Sequence, residues 1–225
     1  MNAHEGQQWR PELVRLRDDL LLMAGQVEQM LANAVRSLVS KDTGLARETI
    51  DTDRLVNQAE IDLDNACVAT LETHPLGRQE LRVVTVTPKM VTDLERIADL
   101  AVNICERVID LNAQASIDPY IEIQEMAQCA QAMIRDAIDA FIALDSAKAA
   151  EVIKADDTVD ELYRRAFRRM LQQMLQNPEH IARGIHIQSI AKFLERVGDH
   201  ATNLAEQVVL MVGGEDLRHV GRLQR

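Results

Sequence analysis

Apolar residues recur at alternating spacings of three and four along most of this chain, a pattern typical of helices packed in a bundle. In residues 11–40 these positions are Leu13, Leu16, Leu20, Met23, Val27, Met30, Ala34 and Leu38. The same periodicity, interrupted by turn-forming residues, predicts further helices over about 45–73, 78–111, 119–144, 147–176 and 178–212. The sequence therefore predicts an all-α fold of long helices, antiparallel because their connections are short.

The helical pattern contains an internal repeat. The segment Leu94–Glu106 returns as Leu194–Glu206, with Leu, Glu, Arg, Asp, Ala, Asn and Glu in register. At an offset of 103, earlier positions match as well, Ile50 with Ile153 and Val56 with Val159. Similarity at a fixed offset indicates a duplicated structural unit. We therefore predict two tandem three-helix bundles, residues 11–112 and 118–213, related by a pseudo-twofold axis and joined through the polar connection 112–119.

Capping residues and prolines indicate where several of the helices begin. Asp118-Pro119 and Asp145-Ser146 are typical N-terminal caps, and Asn177-Pro178 is a third. Pro88 lies inside the third helical pattern, so it either marks the true start of that helix or kinks it. We favour a kink.

Composition narrows the function classes. A formal net charge of −11 argues against nucleic-acid binding, which needs a basic surface. The three cysteines form no Cys-x-x-Cys pair and are expected to be buried and reduced, which fits the cytoplasm. The N-terminal residues lack the apolar core of a signal peptide, and no apolar run is long enough to span a bilayer. We expect a soluble cytoplasmic protein without direct membrane insertion.

Each copy of the repeated segment carries a stripe of oxygen-bearing side chains opposite its apolar face. Glu95, Asp99, Asn103 and Glu106 fall within about 80° of arc on a helix. The second stripe contains Glu195, Asp199 and Asn203. A solvated face is one interpretation. We favour a metal site, because no lysine lies between residues 90 and 112 to relieve the acids, and oxygen-only ligands suit hard cations.

The second helix of each half offers further oxygen ligands. Asp53 and Asn57 form an i, i+4 pair in the first half, and Asp156 and Asp160 form one in the second. These pairs lie along one edge of the apolar stripe, where they could face the third helix. The alternative, that they are ordinary acids near a helix start, stays equally open.

Residues beside the two acidic stripes are not interpreted as metal ligands, and the chain lacks known catalytic motifs. His200 borders the second stripe and is interpreted as a partly exposed surface histidine rather than a ligand. Arg96 and Arg196 are expected to pair with the adjacent carboxylates. The chain has no Glu-x-x-His, no Gly-rich phosphate loop and no nucleophile–histidine arrangement. We therefore expect no enzymatic activity.

The paired Leu-Glu-Arg-x-x-Asp motifs, about one hundred residues apart, resemble those of the PhoU family. The resemblance covers roughly residues 11–220 and includes 23–28, 74–82 and 214–219. Ala98 departs from the glycine that the family usually has there.

The resemblance implies a cytoplasmic, often homodimeric regulator of phosphate homeostasis. Such a protein links the Pst phosphate ABC transporter, through its ATPase subunit PstB, to the sensor histidine kinase PhoR, and represses the phosphate-starvation response when phosphate is plentiful. It also implies metal ions, iron, manganese, magnesium or zinc, held on the bundle surfaces. Carried over position by position, the ligands would be Glu95, Asp99, Asn103, Glu195, Asp199 and Asn203, with Asp53, Asp156 and Asp160 less secure. A metal-binding helical protein without a signalling role remains the alternative.

Overall fold

The computed structural model describes residues 10–73, 75–113 and 121–213. Within these ranges the chain is helical, and the only shorter element is a 3-10 turn at Pro178–His180. The helices are α1 (Pro11–Ser40), α2 (Thr43–Thr73), α3 (Arg78–Asn112), α4 (Ile121–Ala143), α5 (Ser146–Gln176) and α6 (Ile181–Gly213). The expected all-α fold is confirmed.

Helices α1, α2 and α3 pack on one another as one three-helix bundle, and α4, α5 and α6 form the second. The two bundles meet mainly through α3 and α6, with a smaller contact between α1 and α4. The third helix of each repeat therefore lies at the centre of the molecule. The proposed boundaries, 11–112 and 118–213, stay a prediction, and the cap at Asp118-Pro119 lies outside the described residues.

The alternation of apolar positions decides which helix faces are buried. All eight apolar positions named for α1 are inaccessible to solvent or nearly so. The largest fully buried side chains come from α1, α3 and α4: Leu16, Leu20, Met23, Met30, Leu31, Met90, Leu94, Ile97, Ile104, Leu111, Met126 and Met133. Because these side chains are mostly unbranched at Cβ and flexible, they fill a helix–helix interface without opposing helix formation.

The repeat extends to the turns. Lys41 after α1 and Leu144 after α4 are equivalent at the offset of 103, and both adopt left-handed backbone conformations, with φ of 57° and 51°. An aspartate follows each of them. Asp42 accepts a hydrogen bond from the backbone N of Leu45, and Asp145 accepts from two backbone N–H groups at the start of α5. The predicted cap at Asp145 is confirmed, and duplication preserved the turn as well as the helices.

The third helix runs unbroken from Arg78 through Pro88 to Asn112, so Pro88 does not mark its start. The capping interaction lies at Gly77, whose backbone N donates to Glu80 Oε2 at 2.8 Å. The kink at Pro88 stays a prediction. Before α6, Asn177-Pro178 begins the short 3-10 turn as a start signal would, but the Asn177 side chain accepts no capping hydrogen bond and the α-helix begins only at Ile181.

No helix in the described part of the chain is both long enough and apolar enough to cross a bilayer. Cys67, Cys105 and Cys129 are free thiols. Burial raises the pKa of Cys67 and of Cys105 to about 12, so these two thiols are unreactive at neutral pH.

Candidate functional site

The first candidate site lies between α2 and α3, where Asp53, Glu60, Glu95 and Asp99 form what we call the first carboxylate cluster. Burial raises the pKa of Glu95, and the negative charges of Asp99 and Glu60 raise it further, while Arg96 opposes them. Burial also raises the pKa of Asp53, and the charge of Asp99 adds to this. The two helices therefore bring the predicted carboxylates into one electrostatically coupled group.

Asp53 carries an unsatisfied atom. Its Oδ2 accepts a hydrogen bond from Asn57 Nδ2 at 2.9 Å, as the i, i+4 spacing allows. Its Oδ1 is buried without a hydrogen-bond partner. A buried carboxylate oxygen without a donor is unfavourable, and a cation would relieve it.

Arg96 is the nearest cation of the first cluster, as the sequence predicts. Its guanidinium lies 3.4 Å from Glu95 Oε2 and 3.0 Å from Asp99 Oδ2. The side chain of Arg96 is about half exposed, so it neutralises the cluster from the solvent side and contributes little to stability.

The second candidate site lies between α5 and α6, where Asp156, Asp160, Glu195 and Asp199 form the second carboxylate cluster. Burial raises the pKa of Asp156 to about 6, and the charges of Asp199, Asp160 and Glu195 contribute to that rise. Burial, followed by the charge of Glu195, also raises the pKa of Asp199. The second-helix acids thus face the third-helix stripe in both halves.

A glycine permits this close approach in the second half. A Cβ at Gly198 would lie 3.2 Å from Asp156 Oδ1 and 3.4 Å from Val159 Cγ1. Such a contact is tight but tolerable if the carboxylate shifts. The equivalent residue in the first half is Ala98, which is fully buried. The departure from the family pattern at position 98 is therefore accommodated by packing.

The second cluster has cations of its own. Lys192 Nζ contacts Glu195 Oε2, and Arg164 Nη2 lies 3.0 Å from Asp160 Oδ2. Lys192 also lies over the ring of Tyr163, 5.5 Å from its centroid. The second stripe therefore has a lysine beside its acids, unlike residues 90–112 of the first. Asp156 forms no hydrogen bond or ion pair with any residue in the three described ranges.

Sequence reasoning missed Glu60 and Lys192. Glu60 lies seven residues after Asp53, which places it on the same face of α2, and that spacing was the available signal. The offset of 103 aligns Glu60 with Tyr163, and the offset of 100 aligns Lys192 with Thr92. The two clusters are therefore not equivalent, and the first is the more negative of the pair.

The two asparagines of the stripes have different surroundings. Asn103 is half-buried on α3. Asn203 donates from Nδ2 to Asp93 Oδ1 at 3.0 Å, across the contact between α6 and α3. His200 Nδ1 lies 2.8 Å from the same oxygen, and the His200 side chain is only 18% exposed. His200 is thus partly exposed, as we expected, but it also links the two bundles, which the sequence did not predict.

The side chains fit a hard cation in chemistry but are not preassembled around one. Carboxylates with raised pKa values and a buried oxygen without a donor are typical of a site that binds a positive ion. In the described ranges, however, no three His, Cys, Asp or Glu side chains converge closely enough to hold a metal together. Binding would require side-chain rotation within each cluster.

The fold and the two clusters define a class of protein: a duplicated, all-helical bundle with a carboxylate cluster on each half. The family model described as "PhoU domain" matches residues 20–108 and again 123–208. The chain therefore belongs to the PhoU family, a non-enzymatic family of phosphate transport accessory and regulatory proteins.

Relatives cover nearly the whole chain. A phosphate-specific transport system accessory protein PhoU homolog from Pseudomonas putida is 37% identical over 222 residues, 98% of this chain and 87% of that protein. The Escherichia coli (strain K12) accessory protein PhoU is 30% identical over 221 residues, 98% of this chain and 92% of that protein.

Two solved structures share the fold. The crystal structure of PhoU from Pseudomonas aeruginosa superposes with a TM-score of 0.88 at 36% identity, covering 92% of this chain and all of that one. The phosphate transport system regulatory protein PhoU from Streptococcus pneumoniae gives a TM-score of 0.85 at 25% identity, covering 91% of this chain and 97% of that one.

Proposed function

We propose that this chain is a cytoplasmic adaptor that couples phosphate transport to phosphate-starvation signalling. It contacts the ATPase subunit PstB of the Pst phosphate transporter and the sensor kinase PhoR, and it represses the response when phosphate is plentiful. The observation that carries the proposal is the family membership, which rests on residues 20–108 and 123–208 and on a relative that is similar over 98% of the chain. The overall negative charge suits docking onto basic surfaces of such partners.

We further propose that the carboxylate clusters bind metal ions. Asp53, Glu95, Asp99 and Asn103 would hold one ion or group of ions, and Asp156, Asp160, Glu195, Asp199 and Asn203 the other. Iron, manganese and magnesium suit this oxygen-rich donor set better than zinc, which prefers nitrogen and sulfur. A bound cation would offset the like-charge repulsion within each cluster and give the outer face of each bundle a fixed shape for a partner to contact.

A third element of the proposal is self-association into a homodimer. Support comes from large apolar side chains that the described monomer leaves exposed on α1, α2 and α5.

Deletion of the gene, followed by a phosphate-regulated reporter at high and low phosphate, tests the signalling role. We expect high reporter expression at both phosphate levels in the deletion strain and restored repression with the wild-type gene. Unchanged phosphate regulation in the deletion strain would refute the adaptor function. Capture of PstB or PhoR by tagged protein tests the partners directly.

The alternative is a metal-binding helical protein without a signalling role, favoured by the clusters considered alone. The double variant Glu95→Ala plus Glu195→Ala separates metal binding from regulation. If the purified variant loses its metal while reporter repression persists, metal binding is not the mechanism of regulation. Loss of both together supports the coupled function.

A further inference from the structure

A groove between α1 and α2 has an apolar floor and an acidic rim. It encloses about 320 Å³ and is open to solvent. Leu22 is 67% exposed at its edge, and Leu55 is 45% exposed opposite. The lining, which we call the α1–α2 groove, consists of Asp19, Leu22, Met23, Gln26, Leu55, Gln58, Ala59, Asp62 and Leu63. Its only charged side chains are the two aspartates.

The internal repeat provides a comparison within the same molecule. At the offset of 103, Leu22 corresponds to Glu125 and Asp62 corresponds to Arg165. Arg165 Nη2 lies 3.6 Å from Glu125 Oε2, so an ion pair connects α4 and α5 at this position.

A second ion pair also distinguishes the α4–α5 face of the second half from the α1–α2 face of the first. Arg169 Nη1 donates to both carboxylate oxygens of Glu122 at 2.9 and 3.0 Å, and their equivalents in the first half are Ala66 and Asp19. The second half therefore closes its α4–α5 face with two ion pairs. At these positions the first half cannot form an ion pair, because Leu22 and Ala66 are uncharged, and Asp62 accepts a hydrogen bond from Gln58 of its own helix at 2.9 Å. The exposed surface of Leu22 is therefore suited to contact with a partner.

A complementary surface lies on α5 of the same chain. Large apolar and basic side chains point to solvent within about 100° of arc. Leu175 is 76% exposed, the highest value among the large apolar residues described. This α5 stripe consists of Arg164, Phe167, Arg168, Leu171 and Leu175. Both arginines of the stripe pair with acids of their own helix, Arg164 with Asp160 and Arg168 with Glu161, and both remain more than half exposed, at 56% and 68%. Exposed pairs of this kind are weak, so the guanidinium groups stay available to acids of another molecule.

We propose that the α5 stripe of one copy docks into the α1–α2 groove of a second copy. Apolar side chains of the stripe would cover Leu22 and Leu55, and its arginines would face Asp19 and Asp62. Opposite charge around an apolar centre is typical of specific protein–protein contacts. Because each copy carries both surfaces, a dimer with a twofold axis would contain the contact twice, whereas a head-to-tail arrangement would continue into longer assemblies. The inference rests on the proposed homodimer and not on the signalling role.

Sedimentation velocity over a range of protein concentrations tests the docking surface. Two variants are used: Leu22→Glu introduces the residue that the second half has at the equivalent position, and Arg168→Glu reverses a charge of the stripe. We expect each to weaken self-association by about tenfold or more. Leu81→Glu is the matched control, since it places the same acid at an exposed apolar position outside both surfaces and should leave association unchanged.

A double variant that exchanges the charges of Asp62 and Arg168 tests whether these two residues meet in the contact. Asp62→Arg alone should weaken association as Arg168→Glu does, and combining both substitutions in one chain should recover much of the lost affinity. Circular dichroism and denaturant unfolding establish that each variant is folded.

Two results would overturn the inference in distinguishable ways. A wild-type protein that stays monomeric at all concentrations would remove the docking contact together with the proposed homodimer, and would leave the signalling role standing. A dimer that all of these substitutions leave intact would show that copies associate through another surface.

Discussion

Neutralising Asp156 should make the protein more stable at neutral pH. The folded protein raises the pKa of this carboxyl from 3.8 to about 6, first through burial and then through the charges of Asp199, Asp160 and Glu195. Ionised Asp156 is therefore disfavoured in the folded state. Asp156→Asn keeps the shape of the side chain and removes the charge, so it should remove that penalty.

The magnitude follows from the pKa change. A rise of roughly two units corresponds to about 3 kcal/mol, as each unit is worth about 1.4 kcal/mol. Asp156 is partly accessible to solvent, which screens the charges, so we expect a gain of roughly 1.5 kcal/mol.

The sign of the pH dependence is also fixed. Between pH 3.8 and about 6 the folded state keeps a proton on Asp156 that the unfolded state has lost. The contribution of Asp156 to stability therefore falls as pH rises through this window, and the penalty is complete above it. The advantage of Asp156→Asn should be largest at pH 7 to 8 and vanish below about pH 4.

Urea unfolding of wild type and variant, measured without divalent cations across this pH range, checks the prediction. Glu151→Gln is the control, because Glu151 lies on the same helix, is exposed and pairs with Lys154. It should change the free energy of unfolding by less than about 0.5 kcal/mol. If Asp156→Asn is no more stable than wild type at pH 7, ionised Asp156 is not destabilised in the folded state and the reasoning is refuted.

Three further predictions concern stability measured by the same unfolding assay. Arg169→Ala should lower the free energy of unfolding by about 1–2 kcal/mol at neutral pH, since it leaves the largely buried carboxylate of Glu122 without its ion-pair partner. Burial alone would raise the pKa of Glu122, but the hydrogen bond and charge of Arg169 lower it. The cost of Arg169→Ala should therefore shrink as pH falls below about 4.5, and a pH-independent cost would contradict the pairing. Leu94→Ala and Leu194→Ala should each cost about 3–5 kcal/mol, because both side chains are fully buried; a cost below about 1 kcal/mol would argue against the packed core. Asp93→Ala should cost about 1–3 kcal/mol, since it removes the acceptor of two side chains on α6, and no loss would show that this link between bundles is unimportant.

The six helices and their duplication could be predicted because both can be recognised from the order of residues along the chain, without knowledge of tertiary contacts. Apolar spacing identifies which side of α1 is buried without knowledge of its neighbours. The repeat at Leu94–Glu106 and Leu194–Glu206 then identifies the equivalent elements in the two halves. The cap at Asp145 also follows from local chemistry.

The make-up of the candidate site was only partly predictable. Asp53 and Asp156 were assigned from their i, i+4 spacing, and both face the third helix. Lys192 was missed because its contact with Glu195 lies outside the segment in which the first stripe lacked lysines. Glu60 was missed because its distance from Asp53 is two helical turns rather than one.

Contacts between the bundles could not be read from the sequence at all. His200 lies beside the acidic stripe on its own helix, which indicated a partly exposed side chain but no partner on another helix. Its environment is set instead by Asp93 on α3, a residue 107 positions away. Only the way in which α3 packs against α6 brings the two together, and no periodicity within either helix specifies that.

Equilibrium dialysis against Mn²⁺, followed by elemental analysis, tests most directly the claim that the carboxylate clusters bind cations. Wild type should retain manganese, and Glu95→Ala plus Glu195→Ala should retain at least about tenfold less, while Glu151→Gln should match wild type. Wild-type protein that retains no manganese, or a double variant that retains as much as wild type, would contradict the account.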